Sequence, residues 1–114
     1  PKKIKMGKYQ IKKSVNGQFY WTLNAINGEQ ILRSSETYTT KYNCNASILV
    51  SKKCLADKNF QKKVATNGQY FFVQIADNYE PIGMSEMYNT IQARDAGIES
   101  VKRNAPIAAI EDLT

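Results

Sequence analysis

Two pairs of glutamates recur along this 114-residue chain: Glu29 with Glu80, 51 positions apart, and Glu36 with Glu86, 50 positions apart. Set around a common axis, such acids would act as a carboxylate pair or clamp a metal through oxygen ligands. The plainer alternative places Glu29 and Glu80 on hairpin turns and lets Glu36 and Glu86 solvate a strand-to-helix junction, and it is preferred. Tyr38 and Tyr88 recur beside them and are expected to pack where the chain turns into a helix. Nothing else completes a catalytic set. The chain has no histidine, so the commonest general base is missing. Cys44 and Cys54 do not recur, since Arg94 and Asn104 hold the corresponding places. On one helix they would lie roughly 15 Å apart along the axis, too far for a disulfide. A Cys/His zinc site is excluded and two thiols cannot make a four-thiolate one. No glycine-rich phosphate loop is present. The expectation is no catalytic residue, no metal, no cofactor and no enzyme.

A binding surface is the remaining chemistry. Tyr20, Trp21, Tyr70, Phe71 and Phe72 fall on two equivalent segments, near Lys12, Lys13, Lys62 and Lys63. Trp21 and Phe72 are read as core. Tyr20 and Phe71 point the other way, so with Lys12 and Lys63 they are the candidate surface residues. Exposed aromatics interleaved with lysines resemble a stacking platform for single-stranded nucleic acid.

The elements that position these residues come in two similar copies. Asn16-Gly17-Gln18-Phe19 returns as Asn67-Gly68-Gln69-Tyr70, and Ser35-Glu36-Thr37-Tyr38 as Ser85-Glu86-Met87-Tyr88. Each copy reads as three strands and a helix. Strands are expected over 9–14, 19–23 and 30–33, then over 60–65, 70–76 and 81–84. Asn16-Gly17 is a hairpin signal of the type I′ class, and Asn27-Gly28 marks a second turn. Thr40 and Thr90 suit helix N-caps. The first helix carries Cys44, Ile48, Ser51 and Leu55 on one stripe, the second Arg94, Ile98, Val101 and Ala105. Pro106 ends the second helix, and 107–113 reads as a closing strand. The change of offset from 51 to 50 puts one extra residue in the first copy, and a bulge or looser strand end is expected over Leu32–Ser34.

The expected fold is α+β: tandem β-β-β-α repeats with a closing strand, as a pseudo-two-fold pair of antiparallel sheets, each with one helix. Residues 1–8 form a basic tail, 9–59 the first unit and 60–114 the second, in one compact domain with the middle strand shared. The net charge of +6 sits mostly in that tail. Without Lys2, Lys3, Lys5 and Lys8, 12 Lys+Arg face 10 acids, so the body argues only weakly for a polyanionic partner. No apolar run reaches the roughly 18–20 residues of a membrane helix, and no signal-peptide pattern is present. A soluble cytoplasmic protein is expected.

The motifs Asn67-Gly68-Gln69-Tyr70, Ser85-Glu86-Met87-Tyr88 and the run from Gly97 to Pro106 resemble the small bacterial proteins of the YegP-like family, also called DUF1508 or UPF0339. The first copy keeps Gly17-Gln18-Phe19, Asn27-Gly28-Glu29, Ser35-Glu36, Tyr38, Lys41 and Ile48, and Asp112-Leu113-Thr114 also fits. The resemblance covers residues 7–114. It implies an α+β fold of paired repeats and transfers no activity or catalytic residue. The first copy departs at Ala46–Ser51, where the pattern has Asn-Gly-Ile-Glu-Ser-Val. This makes its helix more apolar and suited to an interface. The expected function is a non-enzymatic binding or protein-interaction module, meeting a protein partner or another copy through an open sheet face or edge. The alternative is weak, nonspecific binding of single-stranded nucleic acid through the aromatic strands and lysines.

Overall fold

The computed structural model describes residues 6–114; Lys2, Lys3 and Lys5 of the basic tail lie outside them. Among these residues seven strands and two α-helices follow in the order β1 (Lys8–Lys13), β2 (Phe19–Asn24), β3 (Gln30–Ser34), α1 (Lys41–Lys53), β4 (Phe60–Val64), β5 (Tyr70–Ile75), β6 (Pro81–Met84), α2 (Ile91–Asn104) and β7 (Ala109–Asp112), with single 3-10 turns at Asp57–Asn59 and Ala105–Ile107. Lys8, counted with the tail, opens β1 and pairs with Glu111 at 3.3 Å. Among the described residues no helix is long and apolar enough to cross a membrane.

Four tight turns share one geometry. At the first, the Gly17 amide donates to the Ser14 carbonyl and the Ser14 amide to the Gln18 carbonyl. Gly17 has φ +82°, but Asn16 does not have positive φ. A type I′ turn needs positive φ at both central residues, so the expected turn is corrected: the loop is three residues long with glycine at its left-handed position. Gly28 and Gly68 repeat this. The fourth turn puts Tyr79 there, at φ 69°, the one non-glycine with positive φ among the described residues. An L side chain in that conformation costs about 1 kcal/mol. Tyr79 is exposed, so little packing offsets that strain. Tyr79→Gly is expected to stabilise the fold by up to about 1 kcal/mol in urea denaturation.

The expected pair of sheets is corrected to one. All seven strands form a single mixed sheet in the order β4-β5-β6-β3-β2-β1-β7. The third strands of the two meanders pair antiparallel, Arg33 against Met84 and Ser34 against Gly83. Each strand would otherwise present a row of unpaired amides and carbonyls, and joining them removes two edges at once. Arg33 and Met84 are 51 positions apart, so the local two-fold relating the copies passes between them. The β4 strand pairs with β5, while β7 runs parallel beside β1.

The expected irregularity near Leu32–Ser34 also changes form. The β2–β3 register steps from Leu23↔Leu32 to Asn24↔Gln30, leaving Ile31 as the bulged residue. The same step leaves Ile82 between Gln74↔Gly83 and Ile75↔Pro81. The bulge therefore belongs to both copies, and it lets each isoleucine join the core beside its neighbour. The extra residue is Ser35. Ser34 Oγ accepts from the Trp21 amide and donates to the Glu36 carbonyl. Ser85 Oγ accepts from the Phe72 amide and donates to the Glu86 carbonyl one residue on.

The helices form as their patterns dictate. Thr40 Oγ1 accepts from the Asn43 amide and Thr90 Oγ1 from the Ala93 amide, which caps both first turns. Cys44, Ile48 and Ser51 of α1 are buried, as are Arg94, Ile98 and Val101 of α2. Both helices feed one core with Trp21, Leu23 and Phe72. Tyr9 meets Trp21 edge-on at 5.3 Å, and Phe60 meets Phe72 likewise at 5.9 Å. Leu49 and Val50, in the departing segment of α1, stay exposed. Cys44 and Cys54 are free and buried. Burial, with Asp112 adding to it, pushes the Cys44 thiol up to about 11, so it stays protonated and poorly nucleophilic near neutral pH.

Where the copies differ in the core, one is polar. Tyr9 Oη and Ser51 Oγ lie 2.8 Å apart, and Ser51 Oγ donates to Gln74 Oε1 at 2.7 Å. Gln74 Nε2 donates to the Ser51 and Cys54 carbonyls, each at 2.9 Å. The corresponding residues in the other copy are Phe60, Val101 and Leu23, all buried and apolar.

The contact of β7 with β1 is acidic on one side. Glu111 takes bonds from Gln10 and Lys8, which hold its carboxyl below the ordinary range. Bonds from the Thr114 hydroxyl and amide, then Lys41, bring Asp112 down to about 2. A depressed carboxylate contributes stability above its unfolded value, 3.8 for Asp112, and loses it as pH falls through about 2. The protection of the β7 amides, relative to their intrinsic exchange at each pH, is therefore expected to fall between about pH 4 and pH 2 before that of the central strands.

Candidate functional site

The register lays one row of side chains across the sheet. Gln10 faces Thr22, Thr22 faces Arg33, Arg33 faces Met84, Met84 faces Val73 and Val73 faces Gln61. This row lies on the face opposite Trp21, Leu23 and Phe72, because successive side chains on a strand alternate. Its central part forms the floor of an open groove of about 530 Å³. Met84, Val73 and Pro81 supply apolar surface, Arg33 and Lys63 supply cations, and the loop from Ser35 to Thr37 forms one wall. The pairing of β3 with β6 creates this groove, since each copy contributes only half of it.

The four candidate surface residues divide. Lys12 stands across from Tyr20 and Lys63 across from Phe71. Tyr20 and Lys63 come together as lining of the groove, and Lys12 and Phe71 lie outside it. Tyr20 is half-buried, with the Arg33 guanidinium 4.5 Å from its ring centroid. That cation–π contact fixes both side chains and occupies the Tyr20 ring. Nothing in the local sequence pattern singles out Arg33 and Met84. Their 51-residue spacing places them in equivalent third strands, but only the junction makes them neighbours.

The recurrent acids and tyrosines are engaged separately. Glu36 lines the groove wall. Glu86 accepts from Gln30 Nε2 at 2.6 Å. Tyr38 Oη donates to Ser47 Oγ at 2.7 Å, and Tyr88 stacks on Phe72 with centroids 6.5 Å apart. Burial raises both tyrosines above the ordinary range. Among the described residues no three cysteine or acidic side chains gather as a metal-holding group.

Thr22, beside Arg33 in the row, carries a buried hydroxyl with no hydrogen-bond partner among the described residues. Its counterpart is Val73. An unpaired buried hydroxyl costs about 1–3 kcal/mol, so Thr22→Val is expected to raise stability by about 1 kcal/mol. A denaturation midpoint that falls with an unchanged m-value would contradict this.

Residues 14–57 and 65–112 each match the family described as Domain of unknown function (DUF1508). The chain belongs to the DUF1508 family. Its relatives include UPF0339 protein YegP of Escherichia coli strain K12, 39% identical over 109 residues, covering 95% of this chain and 98% of the relative. A UPF0339 protein of Bordetella pertussis strain Tohama I is 43% identical over 110 residues, covering 96% and 98%. Two solved structures share the fold. The solution NMR structure of yegP from E. coli, a protein of unknown function, superposes with a TM-score of 0.90 at 38% identity, covering 99% of this chain and 97% of that one. The solution NMR structure of a UPF0339 protein from Shewanella oneidensis gives 0.88 at 40% identity, covering 95% and 92%. One matched segment falls in each copy: the first begins after β1 and holds β2, β3 and α1, and the second begins after β4 and holds β5, β6, α2 and β7, so the DUF1508 unit recurs once per copy. The groove across β3 and β6 is a property of the pair of units.

Proposed function

We propose that the protein is a non-enzymatic protein-interaction module of the cytoplasm, and that the open-face groove receives its partner. The observation that carries this reading is the groove's composition: an apolar floor of Met84, Val73 and Pro81 flanked by Arg33 and Lys63. Such a surface fits an apolar side chain of a partner with acidic neighbours, because desolvated apolar contact supplies affinity and the rim cations set orientation. The cytoplasmic placement is supported by the two free, buried thiols, which suit a reducing compartment.

Amide-shift mapping of the labelled protein against fractionated bacterial cytosol tests it. Shifts are expected to concentrate at Tyr20, Arg33, Val73 and Met84, and to vanish in a folded Met84→Asp variant. Shifts elsewhere, or an unaffected Met84→Asp variant, would refute the groove. The same map distinguishes the nucleic-acid reading, for which the Lys12–Tyr20 and Lys63–Phe71 neighbours are the support. That reading requires oligonucleotide-induced shifts at these four residues that fade steeply with salt.

A further inference from the structure

The two ends of the sheet are not alike. At one end β7 lies parallel on β1, with Tyr9 opposite Ile110, Gln10 opposite Glu111 and Ile11 opposite Asp112. At the other end stands β4, the counterpart of β1 in the second copy, and among the described residues it pairs with β5 alone.

The groups that β4 turns outward can be read from its neighbours. The Trp21 amide faces β3, donating to Ser34 Oγ at 3.2 Å. Its partner Ile11 accordingly turns away from β2, and the Ile11 carbonyl accepts from the Leu113 amide at 2.9 Å. In the second copy the Phe72 amide faces β6, donating to Ser85 Oγ at 2.9 Å. Its partner is Lys62. By the antiparallel alternation, Lys62 and Val64 present their N–H and C=O groups to the outside of the sheet, as Phe60 does its C=O, while the Phe60 N–H donates to the Asp57 carbonyl. Such an edge is a template for another strand.

Shape and charge indicate which strand. A groove of about 490 Å³ runs beside β4 under α2, with Phe60, Lys62, Ile98 and Lys102 among its walls. The corresponding space under α1 is filled by the chain leading into β7, where Lys52 Nζ donates to the Ala108 carbonyl. Lys102 is the counterpart of Lys52. On the groove side, Lys62 is paired with Asp95 and Lys102 with Asp57 and Glu99. On the opposite side stand Gln61 and Lys63. Gln61 repeats Gln10, whose side chain binds Glu111 at 2.9 Å.

We propose that the outer edge of β4 is a strand-addition site for an extended acidic segment of a partner protein, bound parallel to β4 as β7 is bound to β1. The segment places an apolar residue opposite Phe60 and acidic residues opposite Gln61 and Lys62, the pattern of Ile110-Glu111-Asp112. This site goes beyond the open-face groove, because its main contacts are the outward backbone groups of β4. Gln61 and Lys63 line both, so the variants that separate them lie elsewhere.

The probe is a synthetic peptide of residues 107–114, titrated into the labelled full-length protein. Shifts are expected at Phe60–Val64, with slowed exchange of the Lys62 and Val64 amides. Lys62→Pro, which removes an outward donor that an edge strand can lose, is expected to abolish binding. Lys63→Glu, a surface change that leaves the backbone edge intact, is expected to weaken it about tenfold. Met84→Asp is expected to leave it unchanged. A peptide with both acids replaced by lysine is expected not to bind. The proposal is overturned if the shifts fall on Tyr20 and Met84 or on β1, if the lysine peptide binds equally, or if no shift appears at millimolar peptide. It is also overturned if the β4 shifts track protein concentration without peptide, because the occupant is then a second copy of this chain.

Discussion

Gln74→Leu is expected to lower the stability of the fold by about 3 kcal/mol, more than either Ser51→Ala or Tyr9→Phe. The reason lies at the end of α1. The Leu55 amide turns to the Lys53 carbonyl, so the Ser51 carbonyl lacks its usual partner four residues on. Gln74 Nε2, from the second copy, supplies that bond and a second one to the Cys54 carbonyl. Leucine fills similar space but leaves both carbonyls and the Ser51 hydroxyl short of a partner in a fully buried site. Each such loss costs about 1–3 kcal/mol. Tyr9→Phe removes one hydroxyl and leaves Ser51 bonded to Gln74, so about 1 kcal/mol is expected, and Phe60 shows that the fold accepts phenylalanine at the equivalent place. Urea denaturation of the three single variants measures the ranking. A Gln74→Leu variant no less stable than Tyr9→Phe would show that the glutamine is not what satisfies the helix end.

The second large effect is expected at the junction of the copies. A Cβ on Gly83 would stand 2.9 Å from Leu32 Cγ, 3.0 Å from the Arg33 carbonyl oxygen and 3.0 Å from Trp21 Cη2. The carbonyl belongs to the strand paired with β6 and cannot retreat without opening that pairing. Gly83→Ala is expected to cost about 2–3 kcal/mol, at the upper range of core overpacking. The cost should appear as faster amide exchange on β3 and β6. Leu32 is the counterpart of Gly83, so one large and one small residue share the space by the two-fold. Leu32→Ala removes one of the three obstacles, and the double variant is expected to be less destabilised than the sum of the two singles. Strict additivity would mean that the Arg33 carbonyl and Trp21 together set the whole cost.

Both effects arise from features that the chain's local pattern does not reveal. Strand and helix positions are legible, because alternation and helical stripes are local. Trp21 and Phe72 are core, and Thr40 and Thr90 are caps, as their spacing indicates. The turn type is not legible, because Asn-Gly serves a three-residue loop as well as a two-residue one, and only the φ of Asn16 separates them. The extra residue falls one position later than the span Leu32–Ser34, because Ser34 and Ser35 align equally well with Ser85. The hydrogen bond from the Trp21 amide decides between them.

Of the candidate surface, Tyr20 and Lys63 meet in the groove while Lys12 and Phe71 stand beside it. Alternation sends Tyr20 and Phe71 to the face away from the core, and the register puts Lys12 and Lys63 beside them. Which of them share a site depends on where β4 and β5 lie relative to β2, and that follows from the β3–β6 pairing.

By itself the sequence determined a repeated β-β-β-α unit, the positions of its turns, its caps and its core stripes, since each depends on residues within a few positions of one another. Tertiary structure alone decided that the copies join in one sheet, that β7 lies on β1, and that Gln74 completes α1. Two similar copies offer similar edges and faces, so local preference cannot choose among the possible pairings. The choice rests on which edges are closed, which polar groups are satisfied and which side chains leave room for each other across the two-fold.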